Sequence, residues 1–198
     1  MREWEANTAG IPDGYFIRDE VPMTKEEVRA VIISKLRLKK DQTAYDIGAG
    51  SGSVSIEMAL ALEKGTVYAL ERKNKALNLI KKNVKKFKLN NIEIIETEAP
   101  VGISDLPDVD RVFIGGSGGQ LAAILAAVDQ KLKDAGRIVL TAVTINTLTT
   151  AVQELEKLNY QLDIVNIAVT RTKNISNYQM FRALNPVYII SAVKTAIT

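Results

Sequence analysis

Cysteine and histidine are both absent from these 198 residues. Without cysteine there can be no disulfide, no thiolate metal site and no cysteine nucleophile. Without histidine the commonest general base and the commonest metal ligand are gone. Chemistry must then rest on carboxylates, lysine, tyrosine, hydroxyls, backbone amides or the reactivity of a bound reagent, and no metal site is expected. Long apolar runs are missing too. The opening MREWEANTAGIPDGYF holds none, so neither a signal peptide nor a membrane span is expected, and a reducing, cytoplasmic setting fits. Strong charge of one sign is also lacking. A net charge of +3 permits an acidic partner without calling for a polynucleotide. Internal repeats, linkers and low-complexity stretches are absent, so 1–198 is expected to form one domain, and an apolar content of 46% suffices for its core.

What is present alternates. Residues 1–23 form an irregular entry segment punctuated by Pro12, Gly14 and Pro22. Thr24, with Glu27 three residues on, reads as the N-cap of a capping box, and Val28, Val31, Ile32 and Leu36 continue a helical stripe to about Leu38. Strands are expected at 43–47, 66–71, 92–97, 109–115 and 136–143. Helices are expected near 52–63, 74–88, 119–132 and 146–158. Two long strands near 161–170 and 187–194 follow, joined by residues 171–186, which show no clear helical period. Strands alternating with helices predict a doubly wound α/β sheet, mostly parallel. The last two strands, lacking a crossover helix, are expected to pair antiparallel.

The segment AYDIGAGSGSVSIEMALAL, residues 44–62, places a glycine turn between a strand and a helix N-terminus, an arrangement that suits an anion. A dinucleotide turn would need a third glycine where Ser53 stands, so that pattern fails. The run Asp46, Gly48, Ala49, Gly50, Ser51, Gly52 instead resembles the first motif of the class I methyltransferases that bind S-adenosylmethionine. Bare glycine backbone admits a methionine tail, and the helix amides face its carboxylate. Asp46 brings negative charge near the ammonium and can order the turn by accepting backbone N–H groups. Glu71, closing the strand TVYALE 19 residues after Gly52, suits both ribose hydroxyls of an adenosine. In that family an acidic residue and the next backbone amide after the third strand read the adenine edge, which points to Glu98 and Ala99 of ETEAP. The reversed final strand is a further family mark, and the implied fold is the Rossmann-like class I methyltransferase sheet.

Three more segments narrow the resemblance: GIPDGYFIRDEVPMTKEEVRAVIISKLRL (10–38), DRVFIGGSGG (110–119) and NPVYII (185–190). From Gly10 to Ile190 the chain resembles the decarboxylating precorrin methyltransferases of cobalamin biosynthesis, departing where Thr97-Glu98 replaces their usual Gly-Asp. The resemblance implies methylation of carbon 15 of cobalt-precorrin-6B with loss of carbon dioxide from the carbon-12 acetate. It also implies that Thr24 touches the cofactor and that the chain forms a homo-oligomer, a tetramer in that family. This chemistry suits a chain without histidine. A reduced tetrapyrrole offers an electron-rich carbon and the sulfonium carries its own leaving group, so proximity and exclusion of water matter more than a base. No catalytic acid or base is assigned.

The substrate is expected beyond the carboxyl ends of the strands, where Gly115 to Gly119 allow close approach, Gly116 above all. Its carboxylates call for cations, and Arg18 and Arg171 are the first candidates, followed by Lys25, Lys173 and Arg182. Lysines 73, 75, 81, 82, 85, 86 and 88 lack interleaved aromatics and read as the hydrated face of a helix whose buried stripe is Leu77, Ile80, Val84 and Phe87. No nucleic-acid or membrane partner is therefore expected. Two rivals stay open on sequence alone. One is a methyltransferase of RNA or of a protein side chain, and the other a non-catalytic S-adenosylmethionine-binding subunit.

Overall fold

The computed structural model describes residues 4–6 and 8–194, so the remaining positions of the 1–23 segment and of the 1–198 domain lie outside the described residues. A 3-10 turn at Asp13–Tyr15 precedes α1 (Glu26–Leu36), β1 (Thr43–Ile47), α2 (Ser53–Ala61), β2 (Thr66–Glu71), α3 (Asn74–Lys86) and β3 (Ile92–Glu96). Then come β4 (Val109–Ile114), α4 (Leu121–Lys131), β5 (Leu132–Ala142), α5 (Ile145–Lys157) and β6 (Tyr160–Ile167). The chain closes with β7 (Thr170–Ile175), β8 (Tyr178–Ala183) and β9 (Val187–Lys194).

Seven strands form one sheet in the order β3-β2-β1-β4-β5-β9-β6. The strands from β3 to β5 are parallel, and β9 runs antiparallel between β5 and β6. This is the mostly parallel sheet the alternation predicts. Side-chain alternation feeds two apolar layers. Tyr45, Ile47, Val112, Ile114, Ile138, Leu140 and Ile190 pack towards α4 and α5, whereas Ala44, Phe113, Val139 and Ile189 pack towards α1 and α2. No helix among the described residues is long and apolar enough to cross a membrane.

Two local expectations need correction. Residues 171–186 contain a two-stranded antiparallel hairpin, β7 and β8, standing apart from the main sheet. Thr24 is not the N-cap of α1: Lys25 holds that position without a side-chain cap, and Asp13 accepts the Glu26 N–H at 3.1 Å. A carboxylate from the entry segment has displaced the local cap. Glu27 is drawn away to Arg171, whose Nε and Nη2 donate to it at 2.8 and 2.6 Å.

The entry segment itself is pinned. Ile11 and Phe16 pack on Ile56 of α2. Fully buried Arg29 donates to Glu57 at 2.7 Å and to Asp13 at 3.1 Å, and to the carbonyls of Thr24 and Ile11. Glu57 in turn accepts the Gly10 and Ile11 amides at 2.8 and 3.0 Å. Buried Asn83 of α3 bonds both Ile17 and the Ser51 carbonyl, tying the segment to the glycine turn. On α3, Leu77 and Ile80 of the expected stripe are buried, as are Ala76 and Leu79, whereas Val84 and Phe87 are half-buried; the lysines point outward except Lys86, which is half-buried and donates to the Tyr15 carbonyl.

Candidate functional site

The strand order reverses between β1 and β4, and a crevice opens beyond the carboxyl ends of the strands at such a switch point. Here it is a cavity of about 670 Å³, within the range of small-molecule sites. Its walls come from the glycine turn after β1, from Glu71 to Lys73 after β2, from Thr97 to Ala99 after β3, and from the glycine loop after β4. Residues 19–25 of the entry segment and Val143, Val169, Leu184 and Val187 complete it.

The turn is built from main chain that only glycine permits cheaply. Gly48, Gly50 and Gly52 have φ of +73°, +57° and +76°. A Cβ on Gly48 would stand 2.4 Å from the Gly116 carbonyl oxygen, so the two glycine segments are pressed together. At Gly116 itself an added Cβ meets nothing, because that position faces open space. The amides of Gly48 and Ala49 donate to the Leu70 carbonyl at 2.9 and 3.1 Å. The Gly50 amide donates to Glu71 Oε2 at 2.9 Å.

Asp46 therefore does not order the turn through its amides, as the sequence reading expects; those donors go to Leu70 and Glu71. Its carboxylate accepts the Ser55 hydroxyl of α2 instead. Asp46 is completely buried, and Oδ1 has no hydrogen-bond partner among the described residues. Burial pushes this carboxyl up to about 7, with Ser55 pulling the other way and nearby Glu71 adding to the rise.

Glu71, nearly buried, accepts three main-chain donors: Gly50 on Oε2, and Arg72 and Lys73 on Oε1, each at 2.9 Å. With about four lone-pair sites on a carboxylate, this leaves acceptor capacity for a ligand hydroxyl. Glu98 is already engaged on one oxygen, where Arg72 donates at 2.5 Å and Gln120 at 3.3 Å.

The residues singled out from sequence divide cleanly. Thr24, Gly48, Ala49, Gly50, Ser51, Glu71, Glu98, Ala99 and Gly116 all line the cavity, as does Lys25. Asp46 and Gly52 lie just behind it, Gly52 against Ile80 of α3. Arg18 is exposed outside the lining. Arg171 also stands outside it, committed to Glu27 and, at 3.4 Å, to Asp13, so it braces the base of the hairpin against the entry segment. Lys173 and Arg182 sit on the exposed hairpin. Missed altogether were Arg72, which follows Glu71 directly and lines the cavity, and Gln120, which stands outside the lining and reaches Glu98. Lys73 and Lys75, read from sequence as part of a hydrated helix face, line the cavity instead because they follow Glu71 so closely. Among the described residues no cluster of acidic groups could hold a metal ion.

Residues 15–194 match the family model described as precorrin methyltransferase domain. A protein of Sulfurisphaera tokodaii described as a probable cobalt-precorrin-6B C(15)-methyltransferase (decarboxylating) is 42% identical over 188 residues, 93% of this chain and 97% of its own. The Salmonella typhimurium cobalt-precorrin-6B C(15)-methyltransferase (decarboxylating) is 39% identical over 184 residues, 92% of this chain and 95% of its own. The crystal structure of precorrin-6y C5,15-methyltransferase from Geobacter metallireducens superposes with a TM-score of 0.91 at 50% identity, covering 96% of this chain and 98% of that one.

Proposed function

The chain belongs to the precorrin methyltransferase family, and on that premise we propose that it methylates carbon 15 of cobalt-precorrin-6B and releases the carbon-12 acetate carboxyl as carbon dioxide. The methyl donor in this reading is S-adenosylmethionine. The observation that carries it is one cavity bounded by bare glycine backbone, a ribose-competent carboxylate and an acidic loop.

The residues fit that cofactor. A Cβ at Gly48 would collide with Gly116, so bare backbone is what lets the turn and the glycine loop close against each other beside the cavity. Asp46 Oδ1, buried just behind the lining and without a partner among the described residues, is suited to a cationic ammonium nearby. S-adenosylmethionine supplies, when bound, a methyl group already activated by its sulfonium. Gly48 to Gly52 would hold the methionine end, with Thr24 over it. Glu71 would take a ribose hydroxyl, and Glu98 with the Ala99 amide would meet the adenine edge.

The substrate would lie over Gly116, where open space admits a flat macrocycle, with Lys25, Lys73 and Lys75 on the rim for its carboxylates. Arg18 remains a candidate only for a carboxylate reaching past the rim, and Arg171 acts through the wall it braces. The attacking carbon belongs to the electron-rich tetrapyrrole, and the conjugated ring takes up the electron pair left by carbon dioxide. Apolar Val143, Val169, Leu184 and Val187 exclude water from the reacting groups. No side-chain base is required.

The working form in this reading is a single domain and a homo-oligomer, a tetramer as the family resemblance suggests, in the cytoplasm and without nucleic acid. Supporting self-association, the hairpin exposes Phe181 at 82% and Tyr178 at 66%, and an isolated two-stranded hairpin is marginal in water. Light scattering on the purified protein tests this.

The decisive experiment incubates the enzyme with labelled S-adenosylmethionine and cobalt-precorrin-6B and follows product mass. One methyl gained and one carboxyl lost is the expected result. A methylated but fully carboxylated product would remove the decarboxylation, and an unchanged substrate would return the chain to the rival readings.

A further inference from the structure

Three elements meet at the cavity wall, which Arg72 and Glu98 line and Gln120 backs from just outside. Arg72 leaves β2, Glu98 follows β3, and Gln120 starts α4 immediately after the glycine loop. Arg72 Nη1 and Gln120 Nε2 both donate to the same atom, Glu98 Oε1. Oε2 has no partner among the described residues. The backbone around Glu98 is held as well. Its carbonyl accepts the Val101 amide at 3.0 Å, the Thr97 hydroxyl donates to the Val101 carbonyl at 2.9 Å, and the Thr97 amide donates to the Glu71 carbonyl at 3.1 Å. Gly118 packs over the pair, since a Cβ there would lie 3.7 Å from Arg72 Nη2 and 3.8 Å from Glu98 Oε1.

A glutamate on a loop rotates freely about three bonds and presents either oxygen in many directions. Two donors converging on one oxygen remove that freedom and leave the other oxygen as the acceptor aimed away from them. We infer that Arg72 and Gln120 are positioning residues that orient Glu98 so that its free oxygen accepts from the exocyclic amino group of the cofactor's purine, making the site selective for adenine over hypoxanthine. The inference rests on the S-adenosylmethionine reading above and adds to it the residues that set base specificity.

The chemistry is directional. Adenine offers an amino donor at its 6-position, whereas hypoxanthine offers a carbonyl oxygen there, which a fixed carboxylate oxygen repels. A site whose polar groups are held for one partner rejects the analogue that cannot supply it, because its own acceptor is then left unpaired. A loosely held glutamate could swing away from the hypoxanthine carbonyl and would discriminate poorly.

The test is calorimetric titration of the full chain with S-adenosylhomocysteine and with its deaminated counterpart, S-inosylhomocysteine. The parent should prefer the adenine compound by roughly a hundredfold. Glu98→Gln, whose amide can turn either group to the base, should reduce the preference to within about threefold. Arg72→Met should reduce it at least about tenfold, Gln120→Leu by less because its bond is longer, and Arg72→Lys should restore part of what Arg72→Met loses. All three side chains are exposed, so the variants should fold, and thermal melts verify it. A merely structural role for Arg72 would weaken both ligands equally and keep their ratio. An unchanged ratio in Arg72→Met, or a parent that binds both compounds equally, overturns the inference while leaving the cofactor reading intact. If the parent binds neither compound, the cofactor reading fails and takes this one with it.

Discussion

The Gly50 main-chain amide and the Glu71 side chain are joined across 2.9 Å, so the turn after β1 and the end of β2 form one unit rather than two neighbouring features. The same carboxylate gathers the Arg72 and Lys73 amides. A ligand that engages Glu71 therefore meets a side chain already oriented by three donors, and little ordering entropy remains to be lost on binding.

Glu71→Gln removes the charge that strengthens a bond to a ribose hydroxyl and turns its amide nitrogen towards either the Gly50 amide or the Arg72 and Lys73 amides, leaving that side without its acceptor. We expect S-adenosylhomocysteine to bind at least about tenfold more weakly, in line with losing one charge-assisted hydrogen bond, and the urea midpoint to fall by the equivalent of about 1–3 kcal/mol for the backbone donor left unpaired. Calorimetry alongside urea unfolding checks it. Undiminished affinity would place the ribose elsewhere.

Gly48→Ala and Gly116→Ala should behave oppositely despite facing each other. At Gly48 the methyl group meets Gly116 backbone at 2.4 Å and the φ of +73° is strained for alanine, so a loss of about 2–4 kcal/mol is expected. At Gly116 the methyl group enters open space, and stability should stay within about 0.5 kcal/mol of the parent. Its effect should fall on tetrapyrrole turnover, which single-turnover kinetics would register as slower methyl transfer.

Arg29 and Arg171 contact the same Asp13, yet only one should matter much for stability. Arg29 is fully buried between Asp13 and Glu57, and Arg29→Met leaves buried Glu57 with no cation and Asp13 with only its longer contacts to Arg171 and Lys25, at a cost of about 3–5 kcal/mol. Limited proteolysis should then cut within the entry segment. The Arg171–Glu27 pair is 38% exposed on both sides, and solvent screening holds Glu27→Gln to less than about 1 kcal/mol. Arg171 nonetheless holds the Glu27 carboxyl below the ordinary range, so this small contribution is present at neutral pH and is lost as pH falls.

Asp46 should give the stability profile a slope of the opposite sign. Its carboxyl titrates near 3.8 when unfolded and at about 7 when buried in the fold. Between those values the folded state holds a proton that the unfolded state has released, so stability falls as pH rises. The contribution is complete below about pH 4 and lost as pH rises through about 7. Asp46→Asn, neutral throughout, should flatten that part of the curve. Urea midpoints for parent and variant from pH 4 to 8 measure the difference, and parallel curves would show that Asp46 is ionised throughout.

Much of the architecture is written locally. Strand–helix alternation and the run from Asp46 to Gly52 are short-range patterns, and hydrophobic period and glycine conformation hardly depend on distant residues. Hence the parallel sheet, the turn and the cavity-lining positions of Glu71, Glu98 and Gly116 were legible in the chain. The hairpin was not, because β7 is mostly polar, the apolar side chains of β8 are exposed and neither strand carries a buried stripe, although two short extended runs about Ser176-Asn177 were there to be seen.

Competition between distant groups is what only the tertiary structure decided. Thr24 has the right chemistry for an N-cap, but Asp13 reaches the same amide from the entry segment. Arg29 looks like a surface residue of α1 until Glu57 and Asp13 close around it. Asp46 owes its raised affinity for a proton to complete burial, a property of the whole packed sheet. Arg72, Glu98 and Gln120 become neighbours only because β3, β2 and β4, with β1 between the last two, end along the same edge of one parallel sheet. Local pattern selects each element's conformation, whereas partners for its polar groups are settled by whichever residue the fold delivers first to within bonding distance.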